Sequence, residues 1–156
     1  MSIQSFTLKN YRSFVDRTTI ELRPLTLLFG YNNSGKSALL RVLPLIADSL
    51  TGQSRTPLAL DSPAVRGSHF SELLSCITGT QAFDLEISLA DSDIHRLKWT
   101  FRDVSTLKTH ILSNFSVHGK TQLMSAQWHI ESSLNKKLIN EYDVQLENEA
   151  YYPKIL

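Results

Sequence analysis

The sequence predicts an α/β fold of the α+β kind, with a mixed sheet around one helix joined to an antiparallel β-subdomain. Three observations predict it. The apolar run Leu25–Phe29 leads directly into Gly30-Tyr31-Asn32-Asn33-Ser34-Gly35-Lys36-Ser37. The stretch that follows, about Lys36–Leu50, is rich in apolar residues with helical character. From Ala82 onward the apolar residues recur with a period of two, as in strands with one buried face.

The elements follow in order. Ile3, Phe6 and Leu8 lie among polar residues and predict a strand over about 3–9. Asn10-Tyr11-Arg12-Ser13 is a turn, and Phe14–Leu22 a second, half-exposed strand that Pro24 ends. Leu25–Phe29 is predicted as a buried strand. The helix is so apolar that it should be covered on several sides, and Pro44 should kink or split it near Arg41. Residues 51–68 are loop-like. Phe70, Leu73, Leu74 and Ile77 have the spacing of a short helix capped by Ser68 and stopped by Gly79. Strands then centre on Phe83–Leu89, Leu97–Phe101, Phe115–Val117, Leu123–Ile130 and Tyr142–Leu146, with short links at Asp91-Ser92-Asp93 and His118-Gly119-Lys120. The expected division is a nucleotide-binding core over 1–80 and a β-rich subdomain over 81–156.

The chemistry lies in Gly30–Ser37, a G-x-x-x-x-G-K-S loop between a strand and a helix. Gly30 and Gly35 let backbone approach phosphate oxygens where a side chain would collide. The N–H groups of about Asn32, Asn33, Ser34, Gly35, Lys36 and Ser37 can form an anion-binding nest, backed by the positive end of the helix. Lys36 supplies a point charge for the terminal phosphates. The Ser37 hydroxyl is a hard oxygen ligand suited to Mg²⁺. ATP and Mg²⁺ are therefore the expected cofactors.

Composition bounds the rest. The 156 residues suffice for one domain with a core. A net charge of +1 excludes a global basic field for nucleic acid. Cys76 is the single cysteine, which excludes a disulfide framework and suits a reducing, cytoplasmic setting. No apolar run reaches the roughly 20 residues of a membrane helix, and the first residues lack the pattern of a signal peptide. His69, His95, His110, His118 and His129 have no metal-like spacing. Trp99, Phe115 and Trp128 at strand spacing fit cross-strand packing better than base stacking.

The first 50 residues resemble the amino-terminal lobe of the ABC-type ATPase heads of the SMC, RecF and OLD families, a group within the AAA family ATPases. The residues that carry the resemblance are Leu8-Lys9-Asn10-Tyr11-Arg12-Ser13-Phe14, Leu22-Arg23-Pro24-Leu25-Thr26-Leu27-Leu28 and the loop itself. The double Asn32-Asn33 looks more like OLD-related prokaryotic ATPases than SMC proteins. Gly67–Leu74 is similar, more loosely, to a segment found after the first helix of such lobes. The resemblance implies nucleotide and Mg²⁺ roles for Lys36 and Ser37. It makes Arg12 either a nucleotide contact or a solvated turn residue. Arg66 is either a DNA or partner contact or an exposed loop residue. The implied partners are a second ATPase head, as a homodimer or a split carboxy-terminal lobe, together with a nuclease or other effector and DNA, in DNA repair or anti-phage defence.

Other parts of such heads are missing. No apolar strand ends in a suitable carboxylate: Leu58-Ala59-Leu60-Asp61 lies in a Pro-rich connection, and Leu45-Ile46-Ala47-Asp48 lies in the helix. No signature loop, no secure metal-binding glutamine (Gln81 is the nearest choice) and no acidic nuclease cluster are evident. The catalytic residues are unknown, and the chain is expected to be a first lobe only: a fragment, a truncated product or half of a split ATPase. One rival function is a scaffold that binds ATP without hydrolysing it. Another is a P-loop kinase of a small metabolite, which the strand run after Ala82 opposes.

Overall fold

The computed structural model describes residues 2–51, 56–90, 92–120, 123–132 and 138–147. Residues 52–55 of the expected loop, Asp91 of the expected link and the closing residues 151–156 lie outside these. Seven strands form one sheet: β1 (Ser2–Lys9), β2 (Thr18–Glu21), β3 (Ala82–Ala90), β4 (Ile94–Val104), β5 (Thr109–Gly119), β6 (Leu123–Ser132) and β7 (Leu138–Glu147). Their order is β2-β1-β3-β4-β5-β6-β7, and every neighbouring pair is antiparallel. The expected mixed sheet is therefore corrected: among the described residues the sheet is antiparallel throughout. The one α-helix among the described residues, α1 (Lys36–Leu50), has the expected bounds.

Period-two patterning gives the sheet two unlike faces. Phe6 and Leu8 of β1, Phe83, Leu85, Ile87 and Leu89 of β3, and Trp99 and Phe101 of β4 are buried in one core with Leu39, Val42, Leu45 and Ile46 of α1. The register sets the pairs within it. Phe83 lies opposite Phe101, Leu85 opposite Trp99, and Trp99 opposite Phe115. Trp99 and Phe115 pack with ring centroids 5.8 Å apart, as cross-strand partners. On the other face Glu86 is buried, yet its carboxylate accepts two hydrogen bonds from Arg17, at 2.9 and 3.0 Å, and pairs with Arg96 at 3.3 Å. Two guanidinium groups thus offset the desolvation of one carboxylate.

Four expectations change. Strand β2 covers Thr18–Glu21 rather than Phe14–Leu22, because Phe14 bridges back to Tyr11 across a tight turn. Helix α1 is not split at Pro44, and it is covered on one side only; Leu40 and Leu50 remain exposed. Phe70–Leu73 makes one 3₁₀ turn instead of a helix to Ile77, and its cap position is His69 rather than Ser68. The chain is pulled extended there by the Tyr11–Leu74 bridge and by Arg12 N–H donating to the Leu73 carbonyl at 2.8 Å. Leu25–Phe29 joins no strand, and its residues join no backbone ladder among the described residues. Leu28 packs on the core, while Leu25, Leu27 and Phe29 are 76%, 63% and 86% exposed. The apolar pattern of a buried strand is present, but nothing described pairs with it.

The connection after α1 is fastened by polar groups. The Ser49 hydroxyl donates to the Leu45 carbonyl and accepts from Ala59 N–H. Leu58 N–H donates to His110 Nε2 at 3.2 Å, and the His110 ring stacks on Phe70 at 5.0 Å. An acceptor nitrogen requires the neutral ring. Burial lowers the His110 pKa from its ordinary 6.5, against smaller opposing effects of the Leu58 backbone and Asp103. Because the folded state resists the proton that the unfolded chain accepts, this contribution to stability is complete above about pH 6.5 and declines as pH falls toward the lowered native value. Urea midpoints measured from pH 8 to pH 5 should fall below about pH 6.5. A His110→Gln variant should lose that part of the slope, and an unchanged slope would show that other groups govern it.

Candidate nucleotide site

The loop Gly30–Ser37 enters α1 through residues in the left-handed region. Gly35 has φ 93° and precedes the first helical residue, and Asn33 has φ 67°. Asparagine tolerates that conformation better than most side chains. The Tyr31 carbonyl accepts from Ser34 N–H at 3.2 Å, and the Gly35 carbonyl accepts the first helical bond from Leu39 N–H at 2.9 Å. Lys36 folds back into the loop. Its ammonium donates to the carbonyls of Gly30 (2.7 Å) and Tyr31 (2.6 Å) and to Ser34 Oγ (3.3 Å). The cation is thus held inside the loop by neutral acceptors, which an anion can replace at a gain in Coulomb energy. Asn32, Asn33, Ser34 and Ser37 are exposed.

The turn after β1 braces this loop. Asn10 and Arg12 both have positive φ, 57° and 48°. The strain is held by a network around the buried Asn10: its amide donates to Thr80 Oγ1 and to the Ala82 carbonyl, and its oxygen accepts from the Thr78 hydroxyl. Asn10 N–H donates to Val15 O and Tyr11 N–H to Phe14 O, which closes the turn. Phe14 and Ser13 then face Gly35. A Cβ on Gly35 would lie 3.1 and 3.2 Å from the Phe14 ring and 3.2 Å from Ser13 Cβ. Glycine is required there for both conformation and space.

Loop, turn and the 71–77 segment enclose a cleft of about 850 Å³. Lys36, Arg12 and Arg41 line it, with Glu72 as the one carboxylate in the lining. That excess of positive charge fits a polyanion such as a nucleoside triphosphate. Ser37 lies at the same cleft and offers a hydroxyl for a metal. Among the described residues no cluster of three His, Cys, Asp or Glu could hold a metal by itself. A magnesium ion here would therefore be held by Ser37 together with phosphate oxygens. A second cleft, of about 800 Å³, carries mixed charge from Asp61, Asp103 and Lys108 beside His69 and His110, and has no phosphate-type loop.

A family description, AAA ATPase domain, matches residues 1–154. The chain belongs to this family. No curated protein matches it. An AAA ATPase domain is a nucleotide-binding ATPase module, and nucleotide binding of this type typically involves Mg²⁺. In this AAA ATPase domain, Gly30, Asn32, Asn33, Ser34, Gly35, Lys36 and Ser37 lie together on the loop, and Arg12 lines the cleft beside them. Arg66, with φ 57°, is exposed in the 62–68 connection. Gln81 lines a different cleft with Lys9 and Asp84, and Asp61 faces the cleft near His110. Neither of these two lines the loop cleft. No helix among the described residues is long and apolar enough to cross a membrane.

The sequence reading missed Arg41 and the bracing role of Asn10. Arg41 could have been found by counting four residues, about one helical turn, from Ser37. Asn10 gave no signal, since its partners are some seventy residues away.

The brace has a measurable consequence. Gly35→Ala should destabilise the domain by about 2–3 kcal/mol, combining left-handed strain with a crowded Cβ. Gly67 also has positive φ, 70°, but nothing lies within 4 Å of its added Cβ. Gly67→Ala should therefore cost only about 1 kcal/mol. Urea denaturation of the two variants decides the matter: equal costs would mean that Phe14 and Ser13 do not hold the loop.

Proposed function

We propose that this chain is the amino-terminal lobe of an ABC-type ATPase head, closest to OLD-related prokaryotic ATPases, and that it binds ATP with Mg²⁺. The observation that carries the reading is the Lys36 ammonium held at the centre of the Gly30–Ser37 loop, at the mouth of α1. On this reading the loop N–H groups and helix end take the phosphate oxygens, Lys36 exchanges its carbonyl partners for phosphates, and Arg12 adds a cation from the braced turn. Ser37 holds the metal. Magnesium supplies charge neutralisation and orientation of the phosphates when bound. The chain's own residues bind and position; no described carboxylate in the cleft other than Glu72 could orient an attacking water.

The head is completed, on this proposal, by a second lobe or second head. The exposed run Leu25, Leu27 and Phe29 on an unladdered segment supports it, because an added strand would satisfy that backbone and cover those side chains. Nucleotide-driven pairing of heads would then act on DNA or on a nuclease-type effector, in repair or defence. The second reading, an ATP-binding scaffold without hydrolysis, is favoured because Glu72 is the one carboxylate among the described residues that line the cleft.

Titration of the full chain with ATP and Mg²⁺ tests the site. Lys36→Ala should lower ATP affinity at least a hundredfold and leave the circular dichroism spectrum unchanged. Cys76 is exposed and lines the cleft, so saturating ATP should slow its alkylation several-fold in the wild type and not in the variant. Equal ATP affinity in both proteins would refute the assignment. Rapid turnover by the isolated chain would instead exclude the scaffold reading.

A further inference from the structure

Arg41 lies four residues beyond Ser37 on α1, hence on the same face one turn later. Helical side chains lean toward the amino terminus, which brings the long Arg41 stem back over the Ser37 turn. It lines the same cleft as Lys36 and Arg12. Arg17, Arg23, Arg96 and Lys120 have carboxylate partners; Arg41 has no ion pair among the described residues.

Two further polar groups in this region are incompletely satisfied. Arg12 Nε is buried and has no hydrogen-bond partner, and its Nη2 makes only a long contact of 3.4 Å with Ser68 Oγ. Tyr11 is 1% exposed, and its hydroxyl lies beside the Arg12 side chain without a well-formed hydrogen bond to it. Burial raises the Tyr11 pKa, while the charge of Arg12, hydrogen bonding to the Arg12 side chain and, least, the charge of Arg41 oppose the rise. The charges of both guanidinium groups therefore act on one buried hydroxyl. Buried donors without acceptors are uncommon in folded proteins and call for a water or an ion. Here Arg12 and Arg41 bring two positive charges and surplus N–H groups to one cleft, so the fitting component is an anion rich in oxygen. The cleft already holds one phosphate-type loop beside them, and only a ligand with a further phosphate would engage both.

We propose that Arg41, with Arg12, reads the terminal phosphate of a nucleoside triphosphate and so separates it from the diphosphate. Arg41 is a specificity-determining residue in this arrangement. The Tyr11 hydroxyl sits behind the two guanidinium groups as a positioning group. The inference rests on the nucleotide-site reading above, and it adds a division of labour within that site. Lys36 and the loop bind the part common to both nucleotides. The arginine pair binds what only the triphosphate carries.

Binding of ATP and of ADP, each with Mg²⁺, to the full chain tests the division. Arg41→Ala should weaken ATP about tenfold and ADP less than twofold. Tyr11→Phe should shift the ATP-to-ADP ratio in the same direction by a smaller factor. Arg41→Lys keeps the charge without the planar fork, and should retain part of the discrimination. It also serves as the decisive variant if the alanine protein does not fold. An equal loss for both nucleotides would overturn the proposal, showing Arg41 to act only through the general field of the cleft. Unchanged ATP binding in Arg41→Ala would overturn it as well. Failure of the wild type to bind either nucleotide would remove the nucleotide-site reading itself, and this inference with it.

Discussion

The candidate site depends on one buried amide. Asn10 ends β1 in a left-handed conformation, and its side chain is bonded to Thr78, Thr80 and the carbonyl of Ala82. Those partners lead into and begin β3, the strand that pairs with β1. The network therefore fastens the exit of one strand to the entry of its neighbour. The turn that follows has little freedom left. Its backbone closes on Val15 and Phe14, and Ser75 N–H donates to the Asn10 carbonyl at 3.2 Å. This geometry, with the bond from Arg12 N–H to the Leu73 carbonyl and the Tyr11–Phe14 bridge, delivers Arg12 to the cleft and Phe14 to Gly35.

The sheet makes that anchoring firm. Phe83 gathers the rings of Tyr11 (5.3 Å), Phe101 (5.2 Å) and Phe70 (5.7 Å) around the start of β3. Such aromatic pairs contribute about 0.5–1.5 kcal/mol each beyond their buried area. The same ring cluster supports the turn, the 3₁₀ segment and, through His110, the connection after α1. Three loops that border the two clefts are thus referred to one point of the core. The polar face contributes differently. Arg17, just before β2, and Arg96 of β4 hold Glu86 of β3 in a place where an unpaired carboxylate would be costly.

What was legible in the sequence follows from how local each signal is. Helix α1 and strands β3 to β5 were legible because their periodicity and their turns lie within a dozen residues. The loop was legible because its glycines, Lys36 and Ser37 are consecutive. Leu25–Phe29 misled because an apolar run reports a tendency to be covered, and the cover itself must come from elsewhere. Phe70–Ile77 misled because helical spacing at Phe70, Leu73, Leu74 and Ile77 was overridden by pairing of Leu74 with Tyr11, a contact across more than sixty residues. The mixed sheet was an expectation tied to Leu25–Phe29, and it fell with that strand. Arg41 was hidden in plain view, since a helix judged by its apolar face directs attention away from its single arginine.

The phosphate-type loop is consequently held unevenly. On its far side it is continuous with α1, whose buried face packs on the sheet. On its near side it hangs from Leu25–Phe29, whose backbone enters no ladder. A loop fixed by two strands would owe its shape to both of them. This one owes it to α1, to the contact of Phe14 and Ser13 with Gly35, and to Lys36, whose ammonium ties Gly30 and Tyr31 together from inside. The internal tie has a consequence for binding. A phosphate that takes Lys36 releases the carbonyls of Gly30 and Tyr31, so the near side of the loop loses its restraint as the anion arrives. Backbone N–H bonds to the anion must then replace that restraint, as the nest geometry allows. Order in the near half of the loop is therefore coupled to occupancy, whereas order in the far half is set in advance by the Asn10 turn.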